Sequence, residues 1–141
     1  MKRDQFDQYI RRFNAEDPTA FDDFIAPDMK MLNGALEFTG IAGMRDHYEN
    51  KIWPFFKEEL NVLRFVSDEK HIGIQMWTHF TARVDGDTLF GPVRKGDTYD
   101  YRGLIMYDIN ESGRFSSIIV SYNSFVNTKV SGEVIEMGLP H

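Results

Sequence analysis

The chain has 141 residues, of which 42% are apolar and 14% aromatic, with 12 phenylalanines, no cysteine and a net charge of −6. That length suits one domain with a real core (residues 1–141, the last stretch, 127–141, reading as a C-terminal tail). The absent cysteine excludes disulfides, thiolate nucleophiles and thiolate zinc sites, and the scattered basic residues form no stripe for a nucleic acid. No stretch approaches 18 apolar residues, and the charged N-terminus does not read as a signal peptide, so the expected setting is cytoplasmic, with no membrane partner.

In chain order, Phe6, Tyr9, Ile10 and Phe13 make one apolar stripe and predict a helix over residues 2–14. Asp17-Pro18 opens a second short helix with Phe21, Phe24 and Ile25 on its apolar face, and Pro27 stops it. Met29–Leu32 and Leu36–Phe38 flank Asn33-Gly34, a strong hairpin turn. A third helix follows from Ile41 to about Lys51, with Ile41, Met44, Tyr48 and Ile52 on one face and Trp53-Pro54-Phe55-Phe56 closing it. Leu60–Val66 and His71–Arg83 read as strands, and 84–95 as a loop. Tyr99–Ile109 and Phe115–Val126 form a long hairpin about a polar turn at Asn110–Gly113. The tail carries Val130, Val134, Ile135, Met137 and Leu139 and is expected to pack over a pocket mouth or a partner.

Helices followed by strands indicate an α+β fold with a mostly antiparallel sheet. Both faces of the long hairpin carry large apolar groups, so one face meets the helices and the other is expected to meet a second copy, making a homodimer. Gly73 and Gly103 allow the sheet to curve and leave a hollow.

The layout resembles the nuclear transport factor 2-like superfamily, and within it the SnoaL-like branch, over about residues 5–127. The segments that carry the likeness are Phe24–Met29, Gly40–Tyr48 and Gly96–Asn123, the last with Gly113-Arg114 at its turn. The resemblance implies a cone-shaped fold with three N-terminal helices packed in a curved sheet, an apolar pocket and no cofactor. It also implies either a cofactor-independent enzyme (isomerase, dehydratase, hydrolase or cyclase) or a binding protein without catalysis. Where steroid isomerases of this type carry an aspartate base, this chain has Asn33; where cyclases and hydrolases carry an acid in the last strand, Val120–Asn123 has none. Tyr9 matches the helix-1 tyrosine of the isomerases, and His79 lies on a strand where dehydratase-like members carry a histidine.

From these residues His79 is the candidate proton-transfer group, since imidazole titrates near neutrality. Tyr9 and Tyr101 are the candidate donors to a ligand oxygen. Phe13, Phe24, Tyr48, Trp53, Trp77 and Ile105 are expected to wall the pocket, with Asn33 or Asn123 as further polar points. Each has a plainer alternative: a hydrogen-bonded strand histidine, core tyrosines satisfied by backbone, and an asparagine that only makes a turn. His47 reads as rim or surface. The four histidines show no H-x-x-x-H spacing and the acids no calcium-loop pattern, so no metal is expected. The expected ligand is a small apolar, oxygen-bearing molecule held between the first and third helices and the concave sheet.

Overall fold

The computed structural model describes residues 1–138. Helix α1 (Arg3–Asn14) buries Phe6, Tyr9, Ile10 and Phe13, the stripe its periodicity predicts. Asp17 ends the following turn with Oδ1 accepting the Thr19 N–H at 3.0 Å, and α2 (Thr19–Phe24) starts there. α2 runs straight into β1 (Ile25–Asn33), which turns at Asn33-Gly34 and returns as β2 (Leu36–Thr39). Gly40 then opens α3 (Gly40–Arg45) at φ +71°; a Cβ there would lie 2.4 Å from the Pro27 carbonyl oxygen, so only glycine fits. The third helix does not stay α-helical. From Asp46 to Ile52 it widens into a π-helical stretch.

The strands that follow are β3 (Phe56–Ser67), β4 (His71–Ala82), the small pair β5 (Gly86–Thr88) and β6 (Gly91–Val93), β7 (Thr98–Ile109), β8 (Phe115–Thr128) and β9 (Val134–Glu136). They assemble in the order β2-β1-β8-β7-β4-β3, with β9 beside the far end of β8. All these pairings are antiparallel except β1 with β8. The helices fill the concave side of this curved sheet. On β4 the alternation is strict: Ile72, Ile74, Met76, Thr78, Phe80 and Ala82 are buried beneath the helices, while Trp77 and His79 point to the convex side. The core is built from rings, with Phe6 5.2 Å from Tyr107 and Tyr9 5.0 Å from Phe115, both edge-to-face.

One irregularity resets the pattern. Arg102 pairs with Ser124 but Gly103 with Tyr122, so Asn123 is an extra residue bulged out of β8. Opposite it, a Cβ on Gly103 would sit 2.2 Å from the Ser121 carbonyl oxygen, and this close approach requires glycine. Beyond the bulge Phe125, rather than Ser124, joins Tyr122 on the concave face.

Three other expectations are corrected. β3 starts at Phe56 instead of Leu60, so Lys57-Glu58-Glu59 belongs to the strand. The 84–95 loop contains the β5–β6 hairpin. The tail makes a strand against β8, pairing Val126 with Glu136, and none of its described residues lines the cavity, which removes the pocket-mouth alternative; Val130, Val134 and Met137 are exposed, packing onto a partner stays an expectation, and Leu139 lies outside the described residues. On the convex face Leu104, Met106 and Ile119 are exposed, as the two-sided apolar pattern of the hairpin predicts.

Candidate functional site

A cavity of about 290 Å³ opens between the π-helical stretch, β3, β4, β7, β8 and the β5–β6 hairpin. That is near the lower end for small-molecule sites, which run from about 300 to 1,000 Å³. Its walls are mostly apolar: Leu36, Ile52, Leu60, Met76, Phe80, Phe90, Ile105, Val120 and Phe125. Among the described lining residues none comes from α1, which fills the remainder of the concavity with its own side chains. The expectation of a pocket beside the first helix is corrected accordingly.

The polar groups of the lining are Asn33, His47, Tyr48, Glu58, Thr78, Tyr101 and Tyr122. Glu58 stands out. It is buried, and its carboxyl is pushed up to about 8 from its ordinary 4.5 by burial alone, with no hydrogen bond from a described residue to hold the anion. Its charge in turn acts, after burial, to raise the hydroxyls of Tyr9 and Tyr48. Tyr101 donates its hydroxyl proton to Asn33 Oδ1 at 2.5 Å, across from β7 to the end of β1. Burial, then Tyr122, hold Tyr101 above the usual phenol range, and the Asn33 bond partly offsets this. The two tyrosine rings lie 4.4 Å apart, and Phe125 closes on Tyr101 edge-on at 5.1 Å.

Of the residues expected from the sequence, Asn33, Tyr48, Tyr101 and Ile105 meet in the lining. Asn33 makes its turn as well, with Gly34 at φ +60°. Tyr9 and Phe13 are buried in the core outside the lining, Phe24 packs 5.3 Å from Tyr9, and Trp53 stacks 5.9 Å from Phe21 at 15°. Asn123 is exposed on the β8 bulge. His79 and Trp77 are on the opposite side of the sheet, because strand parity gives the concave positions to Met76, Thr78 and Phe80. There His79 Nδ1 and Trp77 Nε1 each lie 2.7 Å from Asp100 Oδ1, and the Arg102 guanidinium covers the Trp77 ring at 4.7 Å. His79 is therefore corrected from a cavity group to a hydrogen-bonded convex one.

Glu58 is not among the residues expected from the sequence, and His47 is expected from it at the rim or surface. A signal for Glu58 is present in Phe56-x-Glu58-x-Leu60-x-Val62, where an acid occupies the apolar phase of a period-2 pattern, but two flanking charges mask it. His47 is buried instead of rim-exposed, because the π-helical stretch turns it inward together with Tyr48 and Ile52.

Comparison with known proteins bears on what such a cavity is. The family model of the SnoaL-like domain matches residues 6–118. The chain belongs to the SnoaL-like family. Solved structures similar to this SnoaL-like chain include a candidate polyketide cyclase from Xanthomonas campestris pv. campestris, at 21% identity and TM-score 0.69, covering 82% of this chain and 84% of that one. The Δ5-3-ketosteroid isomerase of a Mycobacterium species matches at 12% identity and TM-score 0.63 over 90% and 91%. A computationally designed 17-OHP binder matches at 14% identity and TM-score 0.66 over 91% and 92%. At these identities the likeness establishes a common NTF2-like fold. No curated protein matches the chain. Among the described residues, no helix of this SnoaL-like chain is long and apolar enough to cross a membrane.

Proposed function

We propose that this SnoaL-like protein is an enzyme that takes a compact, uncharged, oxygen-bearing molecule into the cavity and transfers a proton on it without a cofactor. Glu58 is the proton-transfer group, and the Tyr101–Asn33 pair is a fixed polar point that orients the ligand. The observation that carries this reading is the Glu58 carboxyl itself, buried in the lining it shares with Leu60, Met76 and Phe80, with no hydrogen-bond donor given to it by the described residues. Burying a carboxyl this way is costly, and a leucine at that position would avoid the cost. A carboxyl that holds its proton up to about pH 8 serves as a general acid near neutrality and, once deprotonated, as a strong carboxylate base. Isomerisation, dehydration, hydrolysis and cyclisation all need such a step.

A second reading, binding without catalysis, has one observation in its favour. The Tyr101 proton is already given to Asn33, so that hydroxyl is not a free donor at rest. One experiment separates the two. The ligand that co-purifies with the protein is identified by native mass spectrometry and incubated with wild type and Glu58→Gln. The enzyme reading expects conversion by wild type and loss of it in the variant. Binding of the ligand unchanged by wild type over many hours leaves the carrier reading, and conversion by Glu58→Gln at the wild-type rate removes Glu58 from the chemistry.

A further inference from the structure

His47 is a buried polar side chain that the reading above leaves unused. It is 9% exposed and lines the cavity. Its ring is held between two others, stacked on Phe38 at 5.0 Å and 26° and edge-on to Tyr48 at 4.7 Å and 87°. Nδ1 is enclosed and has no hydrogen-bond partner among the described residues. Buried unpaired polar atoms are rare and mark either strain or function.

The backbone around it is unusual in the same place. In a continuous α-helix His47 would lie about 140° around the axis from Ile52 at 3.6 residues per turn. The i→i+5 repeat of Asp46–Ile52 brings the two to the same side, one turn apart, and both line the cavity. The widened turn therefore costs regular helix geometry and in return aims an imidazole at the ligand space.

The ring is neutral near pH 7. Burial first, then Lys51, lowers it to about 4, against the pull of Asp46. A neutral imidazole carries one proton, on one of its two nitrogens. An enclosed N–H without an acceptor is the rarer orphan in folded proteins, so the proton belongs on Nε2 and the bare lone pair on the enclosed Nδ1. Tyr101, the other obvious donor, has already given its proton to Asn33.

We infer that His47 receives the ligand's oxygen through an Nε2–H donor, so that the molecule this cavity takes is a neutral ketone, enol or phenol whose oxygen points at the third helix. This rests on the acid–base reading of the cavity and supplies its missing half. As Glu58 removes a proton from carbon next to a carbonyl, the electron pair of that C–H bond moves into the ring or chain and negative charge develops on the oxygen. A neutral imidazole donor stabilises that charge without first having to lose a competing proton.

The test uses 2-naphthol as the oxygen-bearing probe and two variants that keep the site filled. His47→Phe retains the ring contacts with Phe38 and Tyr48 and removes the donor; His47→Gln restores an N–H at about the position of Nε2. In ¹⁵N-histidine-labelled wild type at pH 7, the His47 nitrogens should report a neutral ring protonated on Nε2, and 2-naphthol should move the Nε2 resonance. Binding should weaken about tenfold in His47→Phe, the order of one lost hydrogen bond, and stay within about threefold of wild type in His47→Gln. A ring that is charged or protonated on Nδ1, or equal affinity in His47→Phe, overturns the inference. If 2-naphthol still changes its ionisation between wild type and Glu58→Gln in that case, the acid–base reading survives alone. If wild type fails to bind millimolar 2-naphthol, the inference falls, and the acid–base reading is decided by the co-purified ligand with wild type and Glu58→Gln.

Discussion

The two sides of the sheet each hold an acid within a strand, and the two are in opposite conditions. On the convex side Asp100 has Trp77 Nε1 and His79 Nδ1 at 2.7 Å from one oxygen, with Arg102 lying over the indole. On the concave side Glu58 is buried in the cavity lining and has no donor from the described residues. Asp100 is the centre of a cluster in which one carboxylate oxygen meets two ring N–H or N groups of the same sheet face. Glu58 is an acid whose hydrogen-bonding capacity the fold leaves open for something else. The difference teaches that a histidine near an acid, the feature easiest to notice in the sequence, here belongs to a hydrogen-bonded cluster on the convex face, while the isolated carboxyl is the one that lines the cavity. Only strand parity separates them, since Thr78 faces the cavity and its neighbour His79 faces away.

The contrast is broken most severely by exchanging the acids for amides. Glu58→Gln should lower turnover of the co-purified ligand by about a hundred- to ten-thousand-fold, the usual worth of a positioned proton-transfer group. His79→Gln should leave the rate within about twofold, because its side chain does not reach the cavity; a kinetic loss there comparable to that of Glu58→Gln would reverse the assignment.

Thermal or urea unfolding as a function of pH sharpens the same point. The folded value of Glu58, about 8, lies above its ordinary 4.5, so its contribution to stability is complete below pH 4.5 and is lost as pH rises toward 8. The folded value of His47, about 4, lies below its ordinary 6.5, so its contribution is complete above pH 6.5 and is lost as pH falls toward 4. The two oppose each other between pH 4.5 and 6.5. Above pH 6.5 only the Glu58 slope remains, up to about 1.4 kcal/mol per unit. Glu58→Gln should flatten the curve between pH 6.5 and 8, and an unchanged slope there would show that the carboxyl is already ionised in the folded state.

Gly103→Ala tests the backbone on which the contrast rests. Its Cβ would meet backbone atoms of Ser121 and Tyr122, so a loss of about 2–4 kcal/mol is expected in urea denaturation. Asp100→Asn should cost less, about 1 kcal/mol, because the cluster is partly exposed and the amide oxygen still accepts one bond. The smallest effect on the fold is expected from Leu104→Lys, on an exposed residue of the convex face. Its readout is mass: light scattering should give twice 16.4 kDa for the wild-type homodimer that this face is expected to form, and 16.4 kDa for the variant. A wild type already at 16.4 kDa would end that expectation.

The helices, the long hairpin and the two-sided apolar pattern were legible in the sequence because they rest on periodicity and turn chemistry. Phe6-Tyr9-Ile10-Phe13 and Asn33-Gly34 behave as their patterns imply. The likeness of Phe24–Met29 and Gly40–Tyr48 to SnoaL-like segments pointed to the right fold. What escaped was phase. The π-helical stretch fits an α-helical pattern equally well at Met44, Tyr48 and Ile52, so the inward turn of His47 leaves no trace in the spacing. The positions where the resemblance places an acid, Asn33 and Val120–Asn123, hold none, and the buried carboxyl of the cavity, Glu58, lies at the start of β3 in a cluster of charges that reads as solvated. For His79 the alternation of β4 was visible, but which phase faced the helices was not.

The Asn123 bulge has a consequence for how such a cavity changes over time. β8 is read in steps of two, and the extra residue shifts the frame for everything after it. Deleting Asn123 would close the bulge and leave Tyr122, Ser124 and Phe125 opposite Gly103, Arg102 and Tyr101 as they are, with Phe125 still facing inward. A lost codon at the bulge would thus be absorbed without re-lining the cavity, and the strand carries one residue of slack at the place where its wall is aromatic.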